Sequence, residues 1–196
     1  MAEFGLSDFE HTVRACRSFR RFDEGDPIPS GLLVKLVDLA RMTATGGNRQ
    51  PLRYRVVTRS AERAAVNEQL KWAAALTDWN GPEPGERPTG YIVVCDAGCG
   101  VTTRVDEGIA AQTILLAATE AGYGGCMLHA FNAKGVSEAL ALEEAGVSPL
   151  MVIALGRPAE RVELEPLEGA PDGINYWRDG ASVHHVPKRS LEDVLL

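Results

Sequence analysis

The sequence predicts a mixed α+β fold with a central sheet, and two observations lead to this prediction. Short apolar segments typical of buried strands occur in the same chain as longer segments with helical periodicity. The two kinds of segment do not alternate strictly, as they would in a parallel α/β sheet. The chain has 196 residues and no internal repeat, so we expect one domain.

Two helices are expected in the first forty residues. Residues 7–10 (SDFE) fit a capping box, with Ser7 as the N-cap and Glu10 bonding back, so the first helix should run to about Cys16. Ser30 is expected to cap the second helix, because a broad apolar stripe follows it. The residues of that stripe are Leu32, Leu33, Leu36, Val37, Leu39 and Ala40.

The middle of the chain should contain two strands separated by a helix and a loop. The glycine pair at residues 46–47 should stop the chain from continuing as a helix. The residues from Tyr54 to Thr58 then predict a strand. Ser60 is expected to cap a helix that reaches about Leu76. Residues 78–90 are rich in proline and glycine, which predicts a loop, and the apolar stretch from Tyr91 to Cys95 predicts a buried strand.

The second half should begin with a central helix. Ile109 to Ala121 is apolar almost all round, so this helix should be central or lie against a partner, and Gly122 should end it. The next expected elements are a strand, a helix and a strand, at Gly125 to Leu128, Lys134 to Leu142 and Leu150 to Leu155. Residues 156–180 are typical of loop, and the apolar end of the chain, residues 194–196, indicates a docked tail, on this chain or on another subunit.

Composition and charge argue against several classes of function. The formal net charge of -7 and the pI of about 5.2 disfavour a general attraction to nucleic acid or to an anionic membrane. No apolar run approaches the ~20 residues of a membrane span, and the first residues lack the pattern of a secretory signal. The four cysteines, Cys16, Cys95, Cys99 and Cys126, lack a close-paired zinc pattern, so we expect reduced thiols in a cytoplasmic protein.

A segment at the predicted end of the first helix concentrates positive charge. It places Arg17, Ser18 and Arg20 where they could converge on one anion, with the guanidinium groups as forked donors. The same arginines could instead form a solvated basic patch. In that case they would pair with nearby carboxylates, namely Asp23, Glu24 and Asp26.

The turn after the second helix carries polar side chains suited to a heterocycle. Thr45, Asn48 and Gln50 flank two glycines, which let the backbone approach a ligand closely. Asparagine and glutamine each offer a donor and an acceptor, matching the edge of a pyrimidine-like ring. Alternatively, the asparagine only caps the local backbone of the turn.

Taken together, these segments resemble the FMN-dependent nitroreductase family, a group of NAD(P)H-dependent flavin oxidoreductases. The resemblance rests on Arg-Ser-x-Arg before Phe22, and on a Gly-Gly-Asn-x-Gln-Pro turn after an amphipathic helix. It continues with residues 122–128 (GYGGCML), the strand 150–158 that ends in Gly-Arg-Pro, and the basic tail 187–193 (PKRSLED). The motifs follow the family's order over nearly the whole chain. They imply a nitroreductase-like fold with a central mixed or antiparallel sheet, as one FMN-binding domain over residues 1–196.

The resemblance also implies an intertwined homodimer with two FMN molecules at the subunit interface. The first basic segment would hold the phosphate and the pyrimidine side of the flavin, and the basic tail would add charge at the phosphate. The polar turn would reach FMN from the partner chain, and backbone groups of residues 127–130 would lie against the isoalloxazine. The residues expected at the cofactor are Arg17, Ser18, Arg20, Thr45, Asn48, Gln50, Lys71, Met127, Leu128, His129, Lys188 and Arg189.

Several positions depart from the family pattern. Cys16 stands where a further arginine is often found, and Ala44-Thr45 replaces a Pro-Ser pair. Leu52 replaces a common tryptophan, and His129 or Ala130 replaces the Glu or Gly frequent near the flavin's reactive nitrogen. These changes affect the expected shape of the substrate pocket and leave the phosphate site in place.

The function implied by the resemblance is that of an FMN-dependent NAD(P)H oxidoreductase. It would pass hydride through the flavin to a nitroaromatic, a quinone or a similar small electrophile by a ping-pong mechanism. Because the flavin carries this chemistry, no catalytic side chain is expected. Two alternatives stay open: another reaction on the same fold, such as enone reduction or reductive dehalogenation, and a non-catalytic FMN-binding or redox-sensing module.

Three histidines need a separate interpretation. His184 and His185 are adjacent in an expected extended segment, so they should point to opposite faces, and no metal site is expected. His129 could donate a proton to a substrate, or it could be a pocket or core histidine.

Overall fold

The computed structural model describes residues 6–98 and 102–196. Within these ranges the chain forms five α-helices: α1 Ser7–Ala15, α2 Ser30–Ala40, α3 Ser60–Asn67, α4 Thr103–Glu120 and α5 Ala133–Leu140. It also forms eight strands: β1 Phe22–Asp23, β2 Leu52–Val57, β3 Gly90–Asp96, β4 Gly124–Leu128, β5 Ser148–Pro158, β6 Val162–Pro166, β7 Trp177–Arg178 and β8 His184–Lys188. The predicted α+β class is confirmed, and none of the helices in these ranges is long and apolar enough to cross a bilayer.

A five-stranded antiparallel sheet, β1 to β5, lies at the centre of the fold. The long strand β5 pairs with β3, β4 and β1, and β2 pairs with the outer side of β3. Five consecutive side chains of β3, residues 91–95, are buried, as expected for a strand covered on both faces. The four predicted strands all exist, and each begins one or two residues before its predicted start.

Helices cover both faces of the central sheet and form two hydrophobic cores. On one face, Ile92 and Val94 of β3 lie in a cluster with side chains of α2 and α4. On the other face, Tyr91 and Val93 lie in a cluster with side chains of α3 and α5. Because successive side chains of a strand point to opposite faces, one apolar strand contributes to both cores.

The central helix α4 is longer than predicted. It begins at Thr103 rather than Ile109, and its first turns carry the buried carboxylates Asp106 and Glu107. This part of the helix was not predicted, because its charged residues interrupt the apolar pattern on which the prediction was based. The predicted stop is confirmed, because Gly122 follows the helix with a φ of +78°, a conformation that glycine adopts readily.

The predicted serine caps are wrong. Ser7, Ser30 and Ser60 are the first helical residues, the residues before them occupy the N-cap position, and no side-chain capping hydrogen bond forms there. The predicted capping box is also absent, since the carboxylate of Glu10 pairs with Arg14 at 2.8 Å instead. An ion pair between residues four apart on a helix thus replaces the expected bond to the backbone.

Helix α3 ends at Asn67, far before the predicted Leu76. The chain leaves the helix because residues 69–71 bond to the segment that follows β4. The backbone N–H of Lys71 donates to the carbonyl of Ala130 at 2.8 Å, and the N–H of Asn132 donates to the carbonyl of Gln69 at 2.9 Å. This pairing places Lys71 and Trp72 beside the end of β4.

A second, three-stranded sheet was not predicted: residues 156–180, which contain β6 and β7, were expected to be loop, and only the extended conformation at His184 and His185 in β8 was expected. In this C-terminal sheet, β8 pairs with β6 in parallel and with β7 antiparallel. The strands are short and polar, and their partners are distant in the chain, so local periodicity does not reveal them. The apolar residues 194–196 are exposed on this chain, so the tail does not dock on it.

Candidate functional site

The basic segment after α1 runs beside β4, which brings its side chains to the edge of the central sheet. The N–H of Phe19 donates to the carbonyl of Gly125 at 3.0 Å, and Ser18 forms a bridge with the same residue. A Cβ on Gly124 would lie 2.5 Å from the Phe19 ring, and one on Gly125 would lie 2.4 Å from a backbone oxygen. Gly124 therefore permits the close approach of the basic segment, and Gly125 permits the close pairing of β4 with β5, where Ala154 lies.

A cavity of about 370 Å³ lies where this segment meets α4 and the C-terminal sheet. We call it the cationic cavity. Its polar lining residues are Arg17, Ser18, Arg20, Gln112, Tyr176, His184 and Lys188. Three cationic side chains thus converge on one space, although the net charge of the chain is -7. Such an arrangement provides the charge-assisted donors that hold a phosphate.

Several nitrogen atoms around the cationic cavity are buried without a partner in the part of the chain that the structure describes. They are the Nε atoms of Arg17 and Arg20 and the Nδ1 atom of His184. A buried donor without an acceptor is costly and uncommon in a native structure. These atoms fit a ligand that brings phosphate or carbonyl oxygens into the cavity.

Arg20 is the best-defined of these cations. Its Nη1 donates to the carbonyl of Ser18 at 3.2 Å and to Nε2 of His184 at 3.1 Å. Its guanidinium also lies over the Tyr176 ring, 4.8 Å from the centroid. Burial, together with the nearby Arg20 and Arg178, lowers the pKa of His184 to about 4, so the ring is neutral at pH 7 and its Nε2 accepts.

A second cavity, of about 430 Å³, lies at the end of β4, and we call it the strand-end cavity. Arg20 and Tyr176 line both cavities, which places the two side by side. The other residues lining the strand-end cavity are Lys71, Trp72, Ala73, Ala74, Cys126, Met127, Leu128, His129 and Ala130. A cationic cavity that adjoins a mostly apolar one suits a planar aromatic group carrying a phosphate.

His129 sits at the rim of the strand-end cavity and is held by a buried carboxylate. Its Nε2 lies 3.2 Å from Oε1 of Glu107, whose other oxygen accepts from Arg104 at 3.0 Å. Glu107 itself is fully buried. Neither partner was predicted from the sequence, because both precede the predicted start of the central helix.

The polar turn of residues 45–50 is tightly fixed to α4. The N–H of Gly46 donates to Oδ1 of Asp106 at 3.0 Å, and a Cβ on Gly46 would lie 2.0 Å from Oγ1 of Thr102. Asn48 and Gln50 have φ values of +54° and +50°, a region that non-glycine residues rarely adopt. Such backbone strain is concentrated at functional sites in many proteins.

The structure does not bring this turn together with the basic segment in one chain. Thr45 and Gln50 line a different pocket, of about 240 Å³, beside α2 and β2. Asn48 is exposed, and within the described ranges neither the cationic nor the strand-end cavity includes a residue of the turn. Of the two basic residues of the tail, Lys188 lines the cationic cavity, whereas Arg189 is exposed and lies outside that lining.

The C-terminal sheet contributes Tyr176 and His184, two cavity residues that were not expected. The adjacent histidines point to opposite faces, as predicted. His184 faces Arg20, and the ring of His185 contacts Glu165 at 2.8 Å and Asp179 at 3.2 Å. These carboxylates raise the pKa of His185. The one sequence signal for this unpredicted side of the cationic cavity was the Tyr-Trp-Arg run at residues 176–178, which is unusual for a loop.

Potential metal ligands also meet on this sheet, since atoms of Glu163, Glu165 and His185 lie within 4.8 Å of one another. Both ring nitrogens of His185 already face carboxylates, and Glu163 pairs with Arg161. These side chains therefore already have polar partners within the described part of the chain.

Comparison with known proteins identifies the family. The model of the nitroreductase family matches residues 13–89 and 96–157, more than half of the chain. A nitroreductase family protein from Clostridium novyi is 20% identical, covers 96% of this chain and 99% of its own, and superposes with a TM-score of 0.63.

Two further solved structures share the fold. A Parabacteroides distasonis protein, whose name gives NADH dehydrogenase or NAD(P)H nitroreductase as its activity, is 22% identical, with coverages of 79% and 89% and a TM-score of 0.62. An Exiguobacterium sibiricum protein crystallised in complex with FMN is 16% identical, with coverages of 82% and 90% and a TM-score of 0.61. At these identities the likeness shows a shared fold.

Proposed function

Because the chain belongs to the nitroreductase family, we propose that it is an FMN-dependent NAD(P)H oxidoreductase. It would pass hydride through the flavin to a nitroaromatic, a quinone or a similar small electrophile. The observation that carries this proposal is the cationic cavity directly beside the strand-end cavity, with buried donors that have no partner in the part of the chain that the structure describes. Together they offer a phosphate site and an adjoining space for a planar ring system.

In this proposal the cationic cavity binds the phosphate end of FMN, and the strand-end cavity binds its ring system. Arg17, Ser18, Arg20 and Lys188 hold the phosphate and the pyrimidine side of FMN, with Arg189 adding charge from the tail. Backbone groups of residues 127–129 lie along the isoalloxazine, and Lys71 contacts its edge. When bound, FMN supplies the hydride chemistry, and the residues of the chain bind and orient it. The buried cation Arg20 beside the ring would stabilise negative charge on it.

We further propose that residues 1–196 are one FMN-binding domain that works in the cytoplasm. Cys16, Cys95 and Cys126 are free thiols, which fits a reducing compartment. Cys99 lies outside the described residues, so its expected reduced state stays a prediction.

The bound cofactor should be FMN rather than FAD. The cationic cavity suits one terminal phosphate, and the sequence lacks the Gly-x-Gly-x-x-Gly turn of a dinucleotide site. We expect purified protein to be yellow, or to become so when FMN is added, and chromatography of the heat-released cofactor should identify FMN. Recovery of FAD, or failure to take up FMN, would contradict the proposal.

Turnover should follow a ping-pong mechanism. Both planar substrates would stack in turn on the same face of the bound flavin, so the oxidised nicotinamide should leave before the acceptor enters. Steady-state oxidation of NAD(P)H by a quinone should give parallel double-reciprocal plots at several quinone concentrations. Intersecting lines would indicate a ternary complex instead. FMN binding without NAD(P)H oxidation would favour the non-catalytic module, and selective turnover of an enone or a halogenated substrate would favour another reaction on this fold.

The protein should form a homodimer that FMN stabilises. Thr45, Asn48 and Gln50 lie away from both cavities in one chain, so in the proposal they reach FMN from the partner. The exposed apolar residues Leu6, Phe9, Val105, Ile109, Val194, Leu195 and Leu196 supply surface for such a contact. Sedimentation should show a dimer at micromolar concentration, and FMN should raise the melting temperature by mass action. A monomer that binds FMN tightly would mean that one chain builds the whole site.

A further inference from the structure

His184 occupies an unusual position for a histidine at the start of a strand. Its side chain is 1% exposed, and its ring contacts both the Tyr176 ring, at a centroid distance of 5.0 Å, and the guanidinium of Arg20. Arg20 in turn lies over the same Tyr176 ring. Each of the three side chains therefore restricts the other two.

The backbone of the basic segment is held by the same part of the chain. The carboxylate of Glu160, which is almost fully buried, accepts from the N–H groups of Arg20 and Arg21 and from Nη2 of Arg178. Residues 160–184 thus fix both the main chain and the side chain of Arg20. This stretch follows residue 157, where the match to the family model ends.

The contact requires a neutral histidine in one tautomer. An arginine nitrogen can only donate, so Nε2 of His184 must accept and the ring proton must lie on Nδ1. Protonation of Nε2 would put two donors face to face beside a second cation, Arg178. The lowered pKa of His184 agrees with this requirement, and its charged neighbours are Arg20, Arg178 and His185.

We propose that His184 is a positioning residue for Arg20: by accepting from Nη1, it turns the guanidinium so that Nε–H stays free for an oxygen of the ligand. In support, the Nε of Arg20 is buried without a hydrogen-bond partner among the described residues, and Arg20 lines both cavities. The inference rests on the proposed function in naming FMN as the ligand. The opposing interpretation is that His184 only fills the core beneath the C-terminal sheet.

FMN titration of ligand-free protein tests the proposal. His184→Leu should weaken binding about tenfold, the order expected for a lost hydrogen bond to a charged group. His184→Gln should largely restore affinity, because a glutamine oxygen can replace Nε2 as the acceptor. His185→Leu is the matched control: its ring lies on the other face of the same strand, so sheet stability should fall while FMN affinity stays within about twofold of wild type.

A double-mutant cycle separates positioning from packing. If His184 acts through Arg20, His184→Leu should cost little further affinity in the Arg20→Ala background. Additive losses, equal losses for the leucine and glutamine variants, or wild-type affinity in His184→Leu would overturn the proposal. If the wild type bound no FMN, the proposed function would fail and the named ligand with it.

The ring tautomer provides a test that needs neither FMN nor a mutation. Nitrogen NMR of ligand-free wild-type protein near pH 7 should find the His184 proton on Nδ1. A proton on Nε2 would overturn the contact with Arg20. This measurement can overturn the proposal even if His184→Leu fails to fold.

Discussion

Replacing Arg20 with alanine should weaken FMN binding about ten- to hundredfold. The guanidinium is buried and lies over the Tyr176 ring, its Nε has no partner among the described residues, and Arg20 lines both cavities. Loss of a charge-assisted hydrogen bond at such a site costs roughly 1.5–3 kcal/mol. Titration of ligand-free protein with FMN, followed by flavin fluorescence, measures the change directly.

The control for this substitution is Arg14→Ala, which removes an exposed cation from α1. Arg14 pairs with Glu10 on the helix surface, so its loss should change FMN affinity by less than about twofold. Arg21 is a poorer control, because it pairs with Glu86 at 3.2 Å and shares the Glu160 carboxylate with Arg20. Equal effects of Arg20→Ala and Arg14→Ala would mean that general charge, and not a bound contact, attracts FMN.

The elements predicted correctly from the sequence are those whose pattern is local. The apolar run of β3 is recognisable because every side chain from Tyr91 to Cys95 is buried. The stop of α4 is recognisable because Gly122 has a backbone conformation that favours glycine. In both cases the residue types needed by the structure stand next to one another in the chain.

The elements that were missed depend on distant partners. Helix α3 stops early because residues 69–71 form hydrogen bonds with residues 130–132. No local sequence pattern near residue 67 indicates that contact. The C-terminal sheet forms because β8 pairs with β6 and β7, each of which is too short and polar to be recognised alone. Tertiary hydrogen bonds decide both boundaries, and a single sequence does not show them.

The candidate site, like the fold, was predicted only where its residues belong to local motifs. Arg17, Ser18, Arg20 and Lys188 were named from motifs, and the fold brings them to one cavity. His184 was considered only as half of a metal pair, because its contact with Arg20 spans 164 positions in the chain. Cys16, which stands where the family often has arginine, also lines the cationic cavity. Its neighbour Arg17 contributes a positive charge to the same lining.

Phe22→Ala should destabilise the fold by about 3–5 kcal/mol, the usual cost of emptying a buried phenylalanine site. Phe22 is fully buried in β1 and pairs with Pro158 at the end of β5. Its ring fills the space over Gly156, where an added Cβ would lie 2.9 Å from the ring. Urea unfolding of FMN-free protein should show this loss without a contribution from the ligand, and wild type and variant should be compared at the same protein concentration because a dimer's apparent stability depends on it.

The matched control is Ile174→Ala, which truncates a large apolar side chain that is exposed in the loop before β7. That substitution should change the free energy of unfolding by less than about 0.5 kcal/mol. Phe22 also anchors the chain two residues after Arg20, so its loss should loosen the basic segment and weaken FMN binding in protein that is still folded. A Phe22→Ala protein with normal stability would show that β1 does not hold this segment. If stability fell and FMN affinity did not, Arg20 would be positioned by the contacts of Glu160 and His184 alone.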